Sequence, residues 1–492
     1  MKEVVLTIDQ GTSSTKVSVY SINGELLFKS TKHIPMVKSS NNFIEQRPVD
    51  ILDSIQKGIE EAITVAQINP KNVVAVGMDN QGETIIPFKK NDLTPLYNAV
   101  SWQDGRGEEY VNSIKNDNST YEYIKRITGV KPNSYFSGSK MEWLISNIEE
   151  IKTARNSNNL IMATSEVWLI NKLINKKLFR TDYTTASRTM LLNIETLNWD
   201  DNLISLFHLT KDCLPETDYT NAEYGVTNPT VCSGIEAPLI TSVVDQQASL
   251  FGHRCFNYGE AKLTLGTGGF LQVHSGKNSR NNSEAVVKSL FPKTGKETFY
   301  ISEGQVYSVG SSLEWLKRCQ MIDDFAEVDI LSKRQLVSPP LFIPALSGAS
   351  APYWNSKPFA GFLEIGLQTT KTDLIYSVLE GIAFRSAQII MLVEKETGIE
   401  IRNLSLDGGV SQNKTILNII SAVTKKKLVK PINQDLTSIG VFFLESMAIG
   451  IFSGYEDIMN YSLKTESIDE PMTQQLEERF NKWENYFAEM AK

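Results

Sequence analysis

An aspartate closes the apolar run Ile240–Val244, and Gln246 and Gln247 follow it. Further on, Gly266-Thr267-Gly268-Gly269 separates two β-prone runs, Ala261–Leu265 and Phe270–His274. A carboxylate fixed at a strand end, near a phosphate held by glycine amides, is placed to take a proton from an alcohol. Asp245 is therefore read as a general base, and Gly266–Gly269 as a turn lying against the phosphates of a nucleotide.

The elements that must position these residues follow the same theme. Val4–Ile8 reads as a strand ending at Asp9, Gln10–Thr15 as a polar glycine turn, and Lys16–Tyr20 as a second strand. Asn23-Gly24 is a hairpin turn before a third strand near Leu26–Ile34. The first turn alone reads equally as a phosphate loop or a surface hairpin. No G-x-x-x-x-G-K-[ST] occurs, which excludes a P-loop, and no strand-borne G-x-G-x-x-G supports a dehydrogenase. Helical spacing covers Pro48–Ala66. Val73–Met78 is a buried type of strand, and Asp79–Thr84 precedes another at Ile85–Phe88. That polar stretch reads either as a ligand-holding strand end or as a solvated hairpin tip.

Trp102 stands near Asp104 and Arg106, and Tyr135–Lys140 leads into a helix near Met141–Asn147. These aromatics suit core edges or a plate under a small ligand. A boundary near Gln247–His253 divides the chain into 1–249 and 250–492, each opening on a strand–glycine-turn–strand unit. That repetition suggests a duplicated domain with a nucleotide between the copies. In the second half the pattern predicts a helix at Ser311–Cys319, whose amino end suits an anion. A long core helix is predicted at Thr372–Lys395, and a strand at Leu404–Leu406 running into Asp407-Gly408-Gly409. Helices follow from about Asn413 and over Thr437–Gly450.

Composition sets outer bounds. A chain of 492 residues exceeds a single core, and 41% apolar content is that of an ordinary globular protein. The net charge of −8 argues against nucleic-acid partners and anionic membranes. The four cysteines lack CxxC spacing and suit reduced thiols. Glu3 and Asp9 interrupt the first apolar run, against a secretory signal, and no apolar stretch approaches a membrane span. The expected compartment is cytoplasmic.

Taken together, the motifs resemble a known family. Asp9–Ser14, Asn80–Thr84, Tyr135–Gly138, Asp182–Met190, Asp245–Gln247, Gly266–Phe270, Ala351–Trp354 and Asp407–Gly409 look like those of the glycerol kinases within the FGGY carbohydrate kinases. The match runs in order from about residue 4 to about residue 452. The resemblance implies an α/β fold of two actin- and sugar-kinase-like (ribonuclease H-like) domains, each with a mixed five-stranded sheet and a nucleotide cleft between them. It implies a phosphotransferase that moves phosphate from ATP–Mg²⁺ to glycerol, giving sn-glycerol 3-phosphate, in a homodimer or homotetramer. Position by position, it places Asp245 as the base and Glu83, Tyr135 and Gln246 on the polyol, with Trp102 and Phe270 as apolar walls. Thr12, Ser13, Ser14 and Lys16 match the first phosphate loop, and Asp9 the acid that orients Mg²⁺. Thr267, Gly310, Glu314, Gly409 and Asn413 fall on the nucleotide side.

The chain departs from that pattern in places. Gly82 stands where such kinases carry an arginine that donates to glycerol, a charged hydrogen bond of about 1.5–3 kcal/mol. Weaker glycerol binding, a donor from elsewhere such as Arg106, or a different polyol or sugar would each account for it. Lys16 replaces an arginine and keeps the charge without the fork, and Glu314 replaces a glutamine. Glu236 occupies the position of an arginine that binds a sugar bisphosphate inhibitor in some bacterial members, so no such inhibition is expected. The reading from another class is a non-catalytic actin-like ATP-binding module.

Overall fold

The computed structural model describes residues 3–38, 43–278, 283–331, 335–355, 357–432 and 435–492. Two large mixed sheets organise it. The first contains β1 (Val4–Gln10), β2 (Ser14–Ser21), β3 (Leu26–His33), β4 (Val73–Asn80), β5 (Asn221–Val226) and β6 (Pro238–Val244), in the order β5-β6-β4-β1-β2-β3. The second contains β7 (Glu260–Leu265), β8 (Gly269–His274), β9 (Val287–Leu290), β10 (Tyr300–Val306), β11 (Asn403–Asp407), β12 (Leu428–Pro431) and β13 (Thr465–Ile468), in the order β9-β10-β8-β7-β11-β12-β13.

The two sheets repeat one plan. In the first, β1 pairs antiparallel with β2 and parallel with β4, and β4 pairs parallel with β6. In the second, β7 pairs antiparallel with β8 and parallel with β11, and β11 pairs parallel with β12. The expected five strands are present in each copy. The sheets reach six and seven because antiparallel strands extend their edges: β5 in the first, β9 and β13 in the second.

Helices cover the faces because their apolar residues recur on one side. They include α1 (Pro48–Thr64), α2 (Ser137–Asn147), α3 (Tyr183–Ala186), α4 (Asp245–Gly252), α5 (Gly310–Arg318), α6 (Lys371–Thr397), α7 (Lys414–Thr424) and α8 (Leu436–Ala448). Pro48 opens α1, where a missing N–H costs nothing, and α1 buries Ile51, Ile55 and Ile59 against the first sheet. A capping box of Thr370 and Asp373 starts α6, and Gly398 at φ +68° ends it. By length and composition α6 is apolar enough to cross a membrane, which corrects the expectation that no stretch approaches that length. With 78% of its apolar window buried, α6 is the spine of the second core.

The last buried helix crosses back. Residues Leu436–Leu444 of α8 share a core with Val5, Ala75 and Val243 of the first sheet. Backbones of α4 and α8 meet so closely that a Cβ on Gly440 would lie 1.9 Å from the Ala248 carbonyl oxygen. Here glycine is required by contact. A smaller sheet of five short strands, with Ile85–Lys89 beside Leu160–Thr164, caps the first lobe. Ile85–Lys89 therefore does not form a hairpin with β4.

Candidate active site

Asp245 is the first residue of α4, directly after β6. Its Oδ1 accepts from the Gln246 amide at 2.6 Å. Burial, reinforced by the charges of Glu83 and Asp9, pushes its carboxyl up to about 7, with Lys262 opposing. A carboxyl titrating there is matched to proton transfer near neutral pH.

Around Asp245 lies a cavity of about 70 Å³ walled by both lobes. Thr12, Glu83, Trp102, Tyr135, Arg188, Asp245 and Gln246 come from the first lobe, and Phe270, Gln272 and Glu303 from the second. All six residues expected to meet the polyol or its proton are thus brought together. Trp102 donates its indole N–H to Thr12 Oγ1 at 2.9 Å and packs edge-on to Tyr135 with ring centroids 5.5 Å apart. Lys140, fully buried on α2, donates to the carbonyls of Ser134, Tyr135 and Phe136 and so fixes the loop carrying Tyr135.

The segment 79–84 is not a solvated tip. Every residue in it is buried: bonds within the segment and to Gln46, Thr185, Val243 and Arg188 satisfy most of its polar groups, while both Asp79 carboxyl oxygens find no hydrogen-bond partner among the described residues. Asn80 Oδ1 accepts from the Gly82 amide at 3.0 Å, and Thr84 Oγ1 donates to Gln81 Oε1 at 3.1 Å. Gly82 adopts φ +58° and Glu83 φ +36°. A left-handed glutamate is strained, and the surrounding bonds hold it there, with Ser137 Oγ donating to its carbonyl at 3.0 Å.

Two residues that carry the cavity's charge were missed in the sequence. Arg188 Nε donates to Glu83 Oε1 at 2.5 Å, and its Nη1 donates to both Glu303 oxygens at 2.9 Å. Arg106, the sequence candidate for a replacement donor, is elsewhere. It is committed to Asp104 and Glu45, and Phe43 and Trp143 lie against its guanidinium at 4.1 and 4.9 Å. Arg188 lay inside Asp182–Met190, a stretch without helical or strand periodicity, so only its motif context marked it.

A second cavity of about 510 Å³ adjoins the first through Gln246, which lines both. It is bordered by Lys16 and Lys29 from the first lobe and by Lys262, Thr264, Asp407 and Gly408 from the second. Asp9, 5% exposed, accepts from Lys16 at 2.8 Å through Oδ2. Burial would raise Asp407, but Lys262 and His253 hold its carboxyl well below the usual range. Thr12 lies on the wall of the small cavity, whereas Ser13 is exposed and Ser14 half-buried in the same turn, away from the cavities.

A third cavity of about 500 Å³ belongs to the second lobe and collects Thr267, Gly310, Glu314, Gly409 and Asn413, with Leu313, Phe325 and Val328 as an apolar side. Gly310 starts α5 so close to the glycine turn after β7 that a Cβ would sit 2.6 Å from the Gly266 carbonyl oxygen. The three spaces together suit a small alcohol, a chain of phosphates and a nucleoside.

Two like lobes of this topology, with acids and lysines between them, are the architecture of a two-domain sugar kinase. Residues 4–252 match the FGGY family of carbohydrate kinases, N-terminal domain, and residues 261–449 match the C-terminal domain. The chain belongs to the FGGY family of carbohydrate kinases and is a phosphotransferase with an alcohol acceptor and ATP as the donor. It is 31% identical to a glycerol kinase of Halothermothrix orenii, over 93% of this chain and 92% of the relative. A glycerol kinase of Clostridium beijerinckii is 30% identical over 98% and 97%. The crystal structure of Plasmodium falciparum glycerol kinase with ADP superposes with a TM-score of 0.92 at 28% identity, covering 99% of this chain and 98% of that one. A gluconate kinase from Lactobacillus acidophilus, 20% identical, shares the fold with a TM-score of 0.86 over 100% and 99% of the two chains.

Proposed function

We propose that the protein phosphorylates glycerol to sn-glycerol 3-phosphate with ATP, using Asp245 as the general base. The carrying observation is the small cavity around Asp245. At about 70 Å³ it is compact, as glycerol is. Its walls offer a carboxylate at Glu83, an amide at Gln246 and a guanidinium at Arg188 for hydroxyls, with Trp102, Tyr135 and Phe270 for the carbon edge.

Phosphoryl transfer asks mainly for positioning and charge neutralisation. Asp245 accepts the hydroxyl proton as the oxygen attacks the terminal phosphorus, and the ADP oxygen leaves in line. Lys262 and Lys16 border the space for the phosphates, and the turns after β1 and β7 close on it from either lobe. Residues 1–249 and 250–492 are proposed as the two working halves, with α8 as the element they share.

The donor set fits Mg²⁺. Asp9 offers Oδ1, which makes no hydrogen bond among the described residues, and no cluster of three or more metal-ligating side chains occurs there. One carboxylate completed by phosphate oxygens and water is the usual Mg²⁺ arrangement. When bound, Mg²⁺ would neutralise phosphate charge during transfer. A dimer or tetramer is proposed for the assembly, checked by sedimentation, and a cytoplasmic location, checked by cell fractionation.

ADP release measured with glycerol, erythritol, xylulose and gluconate tests the reading. The highest kcat/KM is expected for glycerol. Turnover that ignores every added alcohol would refute it.

A further inference from the structure

Arg188 and Glu303 meet across the polyol cavity from opposite lobes. Arg188 follows α3 in the first lobe, and Glu303 lies in β10 of the second. Both side chains are nearly excluded from solvent, at 6% and 7% exposure. Two guanidinium nitrogens are spoken for, by Glu83 and by Glu303. The third, Nη2, makes no hydrogen bond among the described residues, although Arg188 lines the cavity. The rings of Phe136 and Tyr135 hold the guanidinium at 5.3 and 5.9 Å, and Ser289 donates to Glu303 from the neighbouring strand.

We propose that Arg188 is the specificity-determining cation of the acceptor site: its Nη2 donates to a substrate hydroxyl while its pair with Glu303 latches the two lobes over the bound alcohol. This rests on the acceptor being a small polyol, as argued above, and deepens that reading by assigning Arg188, one wall of the cavity, the selecting and latching role. A guanidinium fixed by two carboxylates is a rigid donor, which an alkyl-ammonium is not. The same pairing sets the charge of the site. Glu83 and Glu303 outnumber Arg188 among these three groups. A neutral polyol meets an unspent N–H, whereas a sugar acid meets surplus negative charge. Because Glu303 belongs to the other lobe, seating the alcohol and closing the cleft become linked steps.

Three variants test this: Arg188→Gln, Arg188→Lys and Glu303→Gln. Each is assayed for kcat and KM with glycerol, for KM with ATP, for glycerol-induced change in tryptophan fluorescence (Trp102 lines the cavity), and for Tm. Arg188→Gln is expected to raise the KM for glycerol by about 10- to 100-fold while the KM for ATP stays within about twofold. Arg188→Lys, keeping charge without the fork, is expected to recover only part of that loss. Glu303→Gln keeps an acceptor for Nη1 but loses the interlobe charge. It is expected to weaken the glycerol-induced fluorescence change and to reduce discrimination against gluconate. Unchanged glycerol KM in Arg188→Gln, or an unchanged fluorescence response and gluconate discrimination in Glu303→Gln, overturns the proposal. Loss of ATP and glycerol binding together, with a lowered Tm, in Arg188→Gln and Arg188→Lys alike also overturns it, since that marks a purely structural role. Wild-type protein that turns over erythritol or xylulose but not glycerol refutes the glycerol reading instead, and the same variants are then scored on that acceptor.

Discussion

Lys262 Nζ donates to Gln246 Oε1 at 2.9 Å, joining a strand of the second lobe to the residue beside Asp245. Lys262 also opposes the rise in the Asp245 carboxyl, and it is fully buried. One ammonium therefore faces both the proposed base and the space proposed for the phosphates.

Replacing Asp245 with asparagine keeps shape and removes the proton acceptor. A fall in kcat of about 10²- to 10⁴-fold is expected, with nucleotide affinity preserved. Steady-state kinetics paired with ATP-analogue titration checks it. Near-normal turnover would remove Asp245 from the mechanism.

The pH dependence carries a definite sign. Asp245 titrates near 7, so kcat/KM for glycerol is expected to rise with pH up to about 7 and then level. Stability should move the other way. The unfolded carboxyl ionises at its ordinary value of 3.8, whereas the folded one stays protonated to about 7. Between those values the folded state binds more protons, so this group's contribution to stability falls as pH rises. The Tm gain of Asp245→Asn over wild type should accordingly be larger at pH 8 than at pH 5. An equal gain at both would contradict the assignment.

Gly82→Arg separates affinity from folding. The residue sits at φ +58°, and a Cβ would come 3.3 Å from Val244 Cγ1, so Tm is expected to drop by the equivalent of about 1–2 kcal/mol. A second guanidinium at the cavity edge should lower the KM for glycerol about tenfold. A rise in KM would show that the site is shaped for another alcohol.

Gly310→Ala puts a methyl group into the contact with the Gly266 carbonyl. The expected result is a KM for ATP raised about tenfold or more, with the glycerol KM within about twofold. Equal effects on both substrates would mean that this contact supports the whole cleft rather than its nucleoside end.

Glu236 is exposed just before β6. Fructose bisphosphate added at millimolar concentration should leave the rate unchanged, because a carboxylate repels its phosphates. Inhibition in initial-rate assays would contradict this.

Most strands and both glycine turns were legible because each is a contiguous apolar run ended by turn residues. Thr267, Gly310, Gly409 and Asn413, which line one cavity of the second lobe, were grouped by the resemblance of their motifs and not by local spacing. The Arg188–Glu303 pair was not legible. Its partners are 115 residues apart, and neither one's local spacing shows that two lobes will meet there. Polarity misled at 79–84, where hydrogen bonds within the segment and to Gln46, Thr185, Val243 and Arg188 replace most of those to water. At Arg106 it misled the other way: a cation beside aromatics looked available, but Asp104 and Glu45 had already claimed it.

The return of α8 across the first sheet has a consequence for how the molecule is made. Val5, Ala75 and Val243 lack much of their core until Leu436–Leu444, near the far end of the chain, arrive. A ribosome that has released only the opening half has therefore produced an incomplete core. Split at the junction near residue 250, the two pieces should be insoluble when expressed singly and recoverable when expressed together.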